Sequence, residues 1–200
     1  MGIEGVVFDL GNVLIDWQPE PAIAAGVGAD QARDFLARFA FREWNHQQDA
    51  GRPFAESEAE AIAAHPEWRD HILSYRANFP LSLVREITGT VEIVRDLHSR
   101  GVPLYALTNW AAETFHHAEQ RYPWLDLFEL VVVSGREQLA KPDRRIFEIL
   151  VEKSGHRADT LLFVDDSEVN VRGARAAGLQ AVLFTDPAAL HDDLVAAGVL

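Results

Sequence analysis

Five short apolar runs in the 200-residue chain each end in side chains able to do chemistry. The runs are 6–8, 103–107, 130–133, 161–164 and 181–184, and they end in Asp9, Thr108-Asn109, Ser134, Asp165-Asp166 and Thr185-Asp186. If the runs are parallel neighbours in one sheet, their carboxyl ends share a rim, where open α/β sheets bind ligands. There Asp9, Asp165 and Asp166 would hold a hard divalent cation. Hydroxyl and amide donors from Thr108 and Asn109 would lie beside it for an anionic group. Polar residues also simply mark strand ends, and for any single strand that plainer reading serves as well. Carboxylates clustered as Asp9, Asp165 and Asp166 would be are costly without a cation, which favours a site for the three together.

The elements that must position these residues follow from the apolar pattern. The five runs read as buried strands, because they are continuous rather than alternating. Helical stretches lie between the later ones: 91–99 after Thr90 as N-cap, 144–153 after Pro142-Asp143, and 168–177 after Ser167. They stop near Gly101, Gly155 and Gly178, where glycine suits a helix end. Strand–helix alternation predicts an α/β doubly wound, Rossmann-like parallel sheet with helices on both faces.

The interval 16–88 breaks that rhythm. It shows helical patterns at 31–41, 54–64 and 68–77 and no convincing strand. Asp30 would cap the first, Pro53 opens the second, and Pro66 separates the second from the third. The expected organisation is an α/β core formed by residues 1–15 and 89–200, with a helical-bundle cap at 16–88 inserted between the first and second strands.

Composition narrows the function. Hydrophobic residues make up 48% and charged residues 24%, ordinary values for a globular protein. A net charge of −13 repels phosphate backbones and anionic lipid, so neither nucleic acid nor membrane is expected as a partner. The absence of cysteine removes disulfides, thiolate zinc sites and cysteine nucleophiles. No signal peptide or membrane-length apolar run is visible, so a soluble, cytoplasmic protein is expected.

Four segments carry a family resemblance. Phe8-Asp9-Leu10-Gly11-Asn12-Val13-Leu14 resembles the first motif of the haloacid dehalogenase-like hydrolase superfamily. Leu107-Thr108-Asn109 resembles its second, Lys141-Pro142 its third, and Val164-Asp165-Asp166-Ser167-Glu168-Val169-Asn170 its fourth. The four are in family order and span essentially the whole chain, and the insertion sits where that family carries a small helical cap. The resemblance implies that Asp9 is a nucleophile forming a covalent aspartyl intermediate. It implies that Thr108 and Asn109 hydrogen-bond the transferring group, and that Lys141 binds substrate and balances charge. Asp9, the Gly11 carbonyl and Asp166 would hold Mg2+, with Asp165 within reach of it and Asn170 supporting the ligands. Simple charge balance agrees, because a carboxylate attacking a phosphate dianion needs a cation and a lysine to cancel the repulsion. Taken alone, Lys141 reads more readily as a charged residue before a helix-starting proline.

One position departs from the pattern. Phosphatases of the superfamily carry a second aspartate two residues after the nucleophile for proton transfer, and here that position is Gly11. A branch with the same Asp-Leu-Gly-Asn-Val sequence includes sugar-phosphate phosphatases. The implied activity is therefore a magnesium-dependent phosphomonoesterase acting on a small phosphorylated metabolite, with a sugar phosphate as one candidate. A hydrolytic 2-haloacid dehalogenase and a catalytically silent metal-binding or regulatory domain are the alternatives. His46, in the insertion, is a candidate for the missing proton transfer, or else a capping or surface residue. Trp17 and Trp110 follow the first two motifs and either line a pocket or pack the core. His116 and His117 are helical neighbours, expected to diverge and so to form no metal clamp.

Overall fold

The computed structural model describes residues 2–200. Its strands are β1 (Gly5–Phe8), β2 (Ile15–Trp17), β3 (Leu83–Glu86), β4 (Leu104–Thr108), β5 (Leu130–Val133), β6 (Leu161–Asp165) and β7 (Gln180–Leu183). Five of them form one parallel sheet in the order β5-β4-β1-β6-β7. The chain builds outward from β1 on one side, then crosses back to build the other, so strand order reverses beside β1. Alternate residues feed two cores. Val6, Phe8, Leu162 and Val164 face one, while Val7, Leu161 and Phe163 face the other. That two-sided burial is why the strands read as continuous apolar runs.

The helices are α1 (Pro19–Val27), α2 (Ala29–Arg38), α3 (Phe41–Asp49), α4 (Phe54–Ala64), α5 (Arg69–Ala77), α6 (Thr88–Ser99), α7 (His116–Arg121), α8 (Ser134–Glu137), α9 (Arg144–Ser154), α10 (Glu168–Ala176) and α11 (Pro187–Ala196). Helices α6 and α11 bury Val91, Val94, Leu97, Leu190 and Leu194 on one face of the sheet. On the other face, α9 and α10 bury Ile146, Phe147, Leu150, Val171 and Ala174. The doubly wound expectation is met. Among the described residues no helix is long and apolar enough to cross a membrane.

The interval 16–88 differs from expectation in two ways. It holds strand residues: β2 pairs antiparallel with β3, Ile15 opposite Glu86 and Asp16 opposite Arg85, with an Arg85–Asp16 ion pair at 3.2 Å. Three- and four-residue strands are too short to display an alternation. The 31–41 pattern is also two helices, not one. Helix α2 ends at Arg38, Phe39 turns extended (φ −91°, ψ 138°), and α3 begins at Phe41. Residues 39 and 41 would lie on nearly opposite faces of one continuous helix. The break turns both rings inward, Phe39 against Phe35 at 4.7 Å and Phe41 against Tyr75 at 4.9 Å.

Two expected caps fall elsewhere, and a third lacks its side-chain bond. Gly28 precedes α2, leaving Asp30 in its first turn. Helix α6 starts at Thr88, so Thr90 lies buried inside it. Ser167 does stand at the N-cap of α10 but makes no side-chain cap bond; its backbone N–H donates to Asp165.

Candidate active site

The carboxyl ends of β1, β4 and β6 meet where strand order reverses, and they bring the expected residues together. Asp9 follows β1, and its backbone N–H donates to the Val164 carbonyl at 2.8 Å. The loop before α9 delivers Lys141, whose side chain is fully buried. The Lys141 ammonium lies 3.0 Å from Asp9 Oδ1 and donates to Asp165 Oδ2 at 2.7 Å and to the Leu107 carbonyl at 2.8 Å. Its three protons are thus spoken for, so Lys141 presents a charge rather than a free donor. Asp9 Oδ1 also accepts the Leu10 N–H at 2.7 Å, which leaves Oδ2 for a reacting atom.

The two neighbouring aspartates differ. Asp165 is wholly buried and accepts from Lys141, from the Ser167 N–H at 2.8 Å and from Asn170 Nδ2 at 3.1 Å. Asp166 faces the cavity beside Asp9 and is hydrogen-bonded by the Asn12 side chain. Asn12 takes a left-handed φ of 56°, a conformation asparagine tolerates better than most residues. Ligand oxygens of Asp9, Asp165 and Asp166 lie within 4.8 Å of one another. Burial lifts the Asp9 carboxyl to about 7, the Asp165 and Asp166 charges add to the rise, and Lys141 opposes it. Burial, then Asp165, also raises Asp166. Burial disfavours the Lys141 charge, but Asp9 and Asp165 together outweigh that and raise its pKa. Three crowded carboxylates against one lysine form an all-oxygen donor set short of positive charge, which fits a hard divalent cation.

Thr108 closes β4 and is buried. The Asn109 side chain is committed: Nδ2 donates to the Lys141 carbonyl at 3.0 Å and Oδ1 accepts the Lys141 N–H at 2.8 Å. It fixes the lysine's backbone, leaving Asn109 only its backbone for a substrate. Gly11 lines the cavity, and a Cβ there would meet nothing within 4 Å.

A cavity of about 170 Å³ opens beside Asp9. Trp17 and Trp110 both line it, joined by Asn45, Asp49, Phe54, Tyr75, Phe79 and Thr114. His46 is not there. Helix α3 turns Asn45 and Asp49, one turn apart, toward the cavity and leaves His46 exposed. Burial raises the Asp49 carboxyl to about 7, with the Asp9 charge adding to the rise and an Ala111 backbone hydrogen bond opposing it. One signal was available: Asn45 and Gln48 are polar residues in the buried stripe carrying Phe41 and Trp44, and buried polar groups need partners.

Ser134 ties α3 to the rim. Its hydroxyl donates to the Asp49 carbonyl at 2.6 Å and accepts the Trp110 N–H at 2.8 Å. Gly135 permits that approach, since a Cβ there would lie 2.4 Å from Ala112 N. His116 and His117, expected to diverge, bring their ring centroids to 3.8 Å, because His117 is drawn back onto the Phe79 ring.

The chain is similar to known proteins. Over 195 residues the chain is 28% identical to the sesquiterpene phosphatase astK of Aspergillus oryzae, covering 92% of this chain and 90% of that one. It is likewise 28% identical over 198 residues to a phosphoglycolate phosphatase of Cereibacter sphaeroides, covering 94% and 89%. Among solved structures, the HAD family enzyme bt-2542 of Bacteroides thetaiotaomicron, in complex with magnesium and inorganic phosphate, superposes with a TM-score of 0.72. That match has 23% identity and covers 92% of this chain and 96% of that one. A sequence model of the haloacid dehalogenase-like hydrolases matches residues 3–178, and the chain belongs to that family.

Proposed function

We propose that the protein is a magnesium-dependent phosphomonoesterase in which Asp9 is the nucleophile. The observation that carries this reading is the placement of Asp9 at a cavity wall, 3.0 Å from a buried lysine and clustered with Asp165 and Asp166. The phosphatase names of two relatives, and the magnesium and phosphate bound by bt-2542, support it.

In this reading Asp9 Oδ2 attacks phosphorus, the ester oxygen departs as the alcohol, and water then hydrolyses the aspartyl phosphate. Asp9, Asp166 and the Gly11 carbonyl hold Mg2+, with Asp165 behind them; bound there, the ion supplies charge that offsets carboxylate–phosphate repulsion. Lys141 stabilises the ionised nucleophile, and Asn109 positions Lys141. The Thr108 hydroxyl and the Asn109 backbone N–H orient the phosphoryl oxygens. Residues 1–15 and 89–200 form the catalytic core, and 16–88 form a cap that shields the reaction from bulk water.

The test is phosphate release from p-nitrophenyl phosphate with magnesium and with a chelator, beside halide release from a 2-haloacid. Magnesium-dependent phosphate release is expected. Halide release without metal would instead make the protein a dehalogenase, and neither product would leave a binding domain.

A further inference from the structure

We infer that the organic part of the substrate is uncharged and apolar, a short branched chain or a single ring. This rests on the phosphatase reading of the same site. Beyond the carboxylates and amides, the cavity is lined by five aromatic side chains: Trp17, Phe54, Tyr75, Phe79 and Trp110. The two indole N–H groups are already engaged within the protein. Trp110 Nε1 donates to Thr114 Oγ1 at 3.2 Å, and the Trp17 side chain hydrogen-bonds that of Tyr75. Among the described residues no lysine or arginine lines the cavity. A second anionic group on the substrate would find no cation there. Sugar hydroxyls would be buried against rings with few partners, which is unfavourable. The adjoining hollow, which shares Asn12 and Trp17, does carry Arg42, but beside Glu20 and Glu43. The volume, about 170 Å³, must take the phosphoryl group as well, so the organic part is small.

Three esters of primary alcohols test this: 3-methylbutyl phosphate, 2-phosphoglycolate and glucose 6-phosphate. The expected kcat/KM favours 3-methylbutyl phosphate by at least about tenfold. Equal or better turnover of either of the others overturns the inference. Calorimetry of the same three esters with the Asp9→Asn protein and magnesium separates it from the reading it rests on. If the wild type hydrolyses none of them while the affinities keep the expected order, the phosphatase reading fails and the apolar site stands. A reversed affinity order removes the apolar site itself.

A different observation concerns proton transfer, and it too rests on the phosphatase reading. The geometry points to Asp49 as the residue that protonates the departing alcohol, the task for which Gly11 has no side chain. Asp49 lines the same cavity as Asp9. Its side-chain partner is neutral, Asn45 Nδ2 at 3.0 Å, and among the described residues it has no salt bridge. Its backbone is pinned to the rim through Ser134 at 2.6 Å. The Asp49 carboxylic acid gives its proton to the ester oxygen as that oxygen leaves phosphorus and Asp9 Oδ2 bonds to it. The Asp49 carboxylate then takes a proton from the water that attacks the aspartyl phosphate, which restores the acid and frees Asp9.

The Asp49→Asn protein should lose about 10²–10⁴-fold in turnover of alkyl phosphates. It should lose far less on p-nitrophenyl phosphate, whose leaving group scarcely needs a proton. The open space around Gly11 provides a second readout: Gly11→Asp added to Asp49→Asn should restore alkyl phosphate turnover. Equal losses on both esters without rescue would make Asp49 merely structural and overturn the assignment. A wild type inactive on both esters would remove the phosphatase reading, and this assignment with it.

Discussion

The rim at the ends of β1, β4 and β6 and the aromatic wall enclose one cavity by different physics. At the rim each charge is held by short directional bonds, such as the three donated by Lys141 and the three or more accepted by Asp165. On the wall, rings set the shape by packing, with Tyr75 against Phe79 at 5.6 Å and Phe79 against Trp110 at 5.9 Å. Directional bonds fix atoms closely enough for bond-making. Ring packing encloses apolar volume, with fewer polar groups to fix a ligand's orientation. The difference teaches that one cavity can be held at one side by ion pairs and hydrogen bonds and elsewhere by packed rings.

The comparison breaks most readily at its central lysine. Lys141→Met leaves Asp9 and Asp165 buried without their cation, and should cost on the order of 3–5 kcal/mol of stability, read by urea unfolding. A loss below about 1 kcal/mol would mean that the rim is not held by this ion pair.

A smaller effect separates Asp166 from Asp165. Asp166→Ala should weaken the magnesium-induced rise in Tm, with at least about a tenfold loss of metal affinity. The metal-free protein should be as stable or more so, because burial and the Asp165 charge both disfavour the Asp166 carboxylate. Undiminished magnesium stabilisation would assign the ligand role elsewhere.

The smallest effect lies behind the wall, at His71. This ring packs 5.3 Å from Phe35 and 4.9 Å from Trp68, and neither nitrogen has a hydrogen-bond partner among the described residues. Burial lowers its pKa, while Asp70 and Asp34 oppose the shift. The unfolded chain therefore binds the extra proton more readily. Stability on this account is complete above the unfolded value of about 6.5 and falls as pH drops through and below it. The Tm of the His71→Phe protein should rise relative to that of the wild type as pH falls from about 8 to 5.5. A difference independent of pH would show that His71 does not titrate on unfolding.

The rim was legible in the sequence because a parallel sheet brings strand ends together whatever the intervening chain does. Asp9, Asp165 and Asp166 needed only that rule. Lys141 lies in a loop, and the resemblance rather than the pattern pointed to it. Asn109 was legible as a site residue but not in its geometry, since its reach to the Lys141 backbone depends on how two loops pack. The wall was mostly illegible. Phe54, Tyr75 and Phe79 look in sequence like ordinary core positions, and Asp49 differs from exposed His46 only in which way α3 is turned. That rotation is set by aromatic contacts between helices, which no local pattern encodes.

The central claim is that Asp9 carries the phosphoryl group. Acid-quenched turnover of p-nitrophenyl phosphate with magnesium, followed by peptide mass spectrometry, tests it most directly. The account predicts one added phosphoryl group on the peptide containing Asp9, absent from the Asp9→Asn protein along with turnover. A phosphorylated peptide elsewhere, or an Asp9→Asn protein that still turns over, would contradict it.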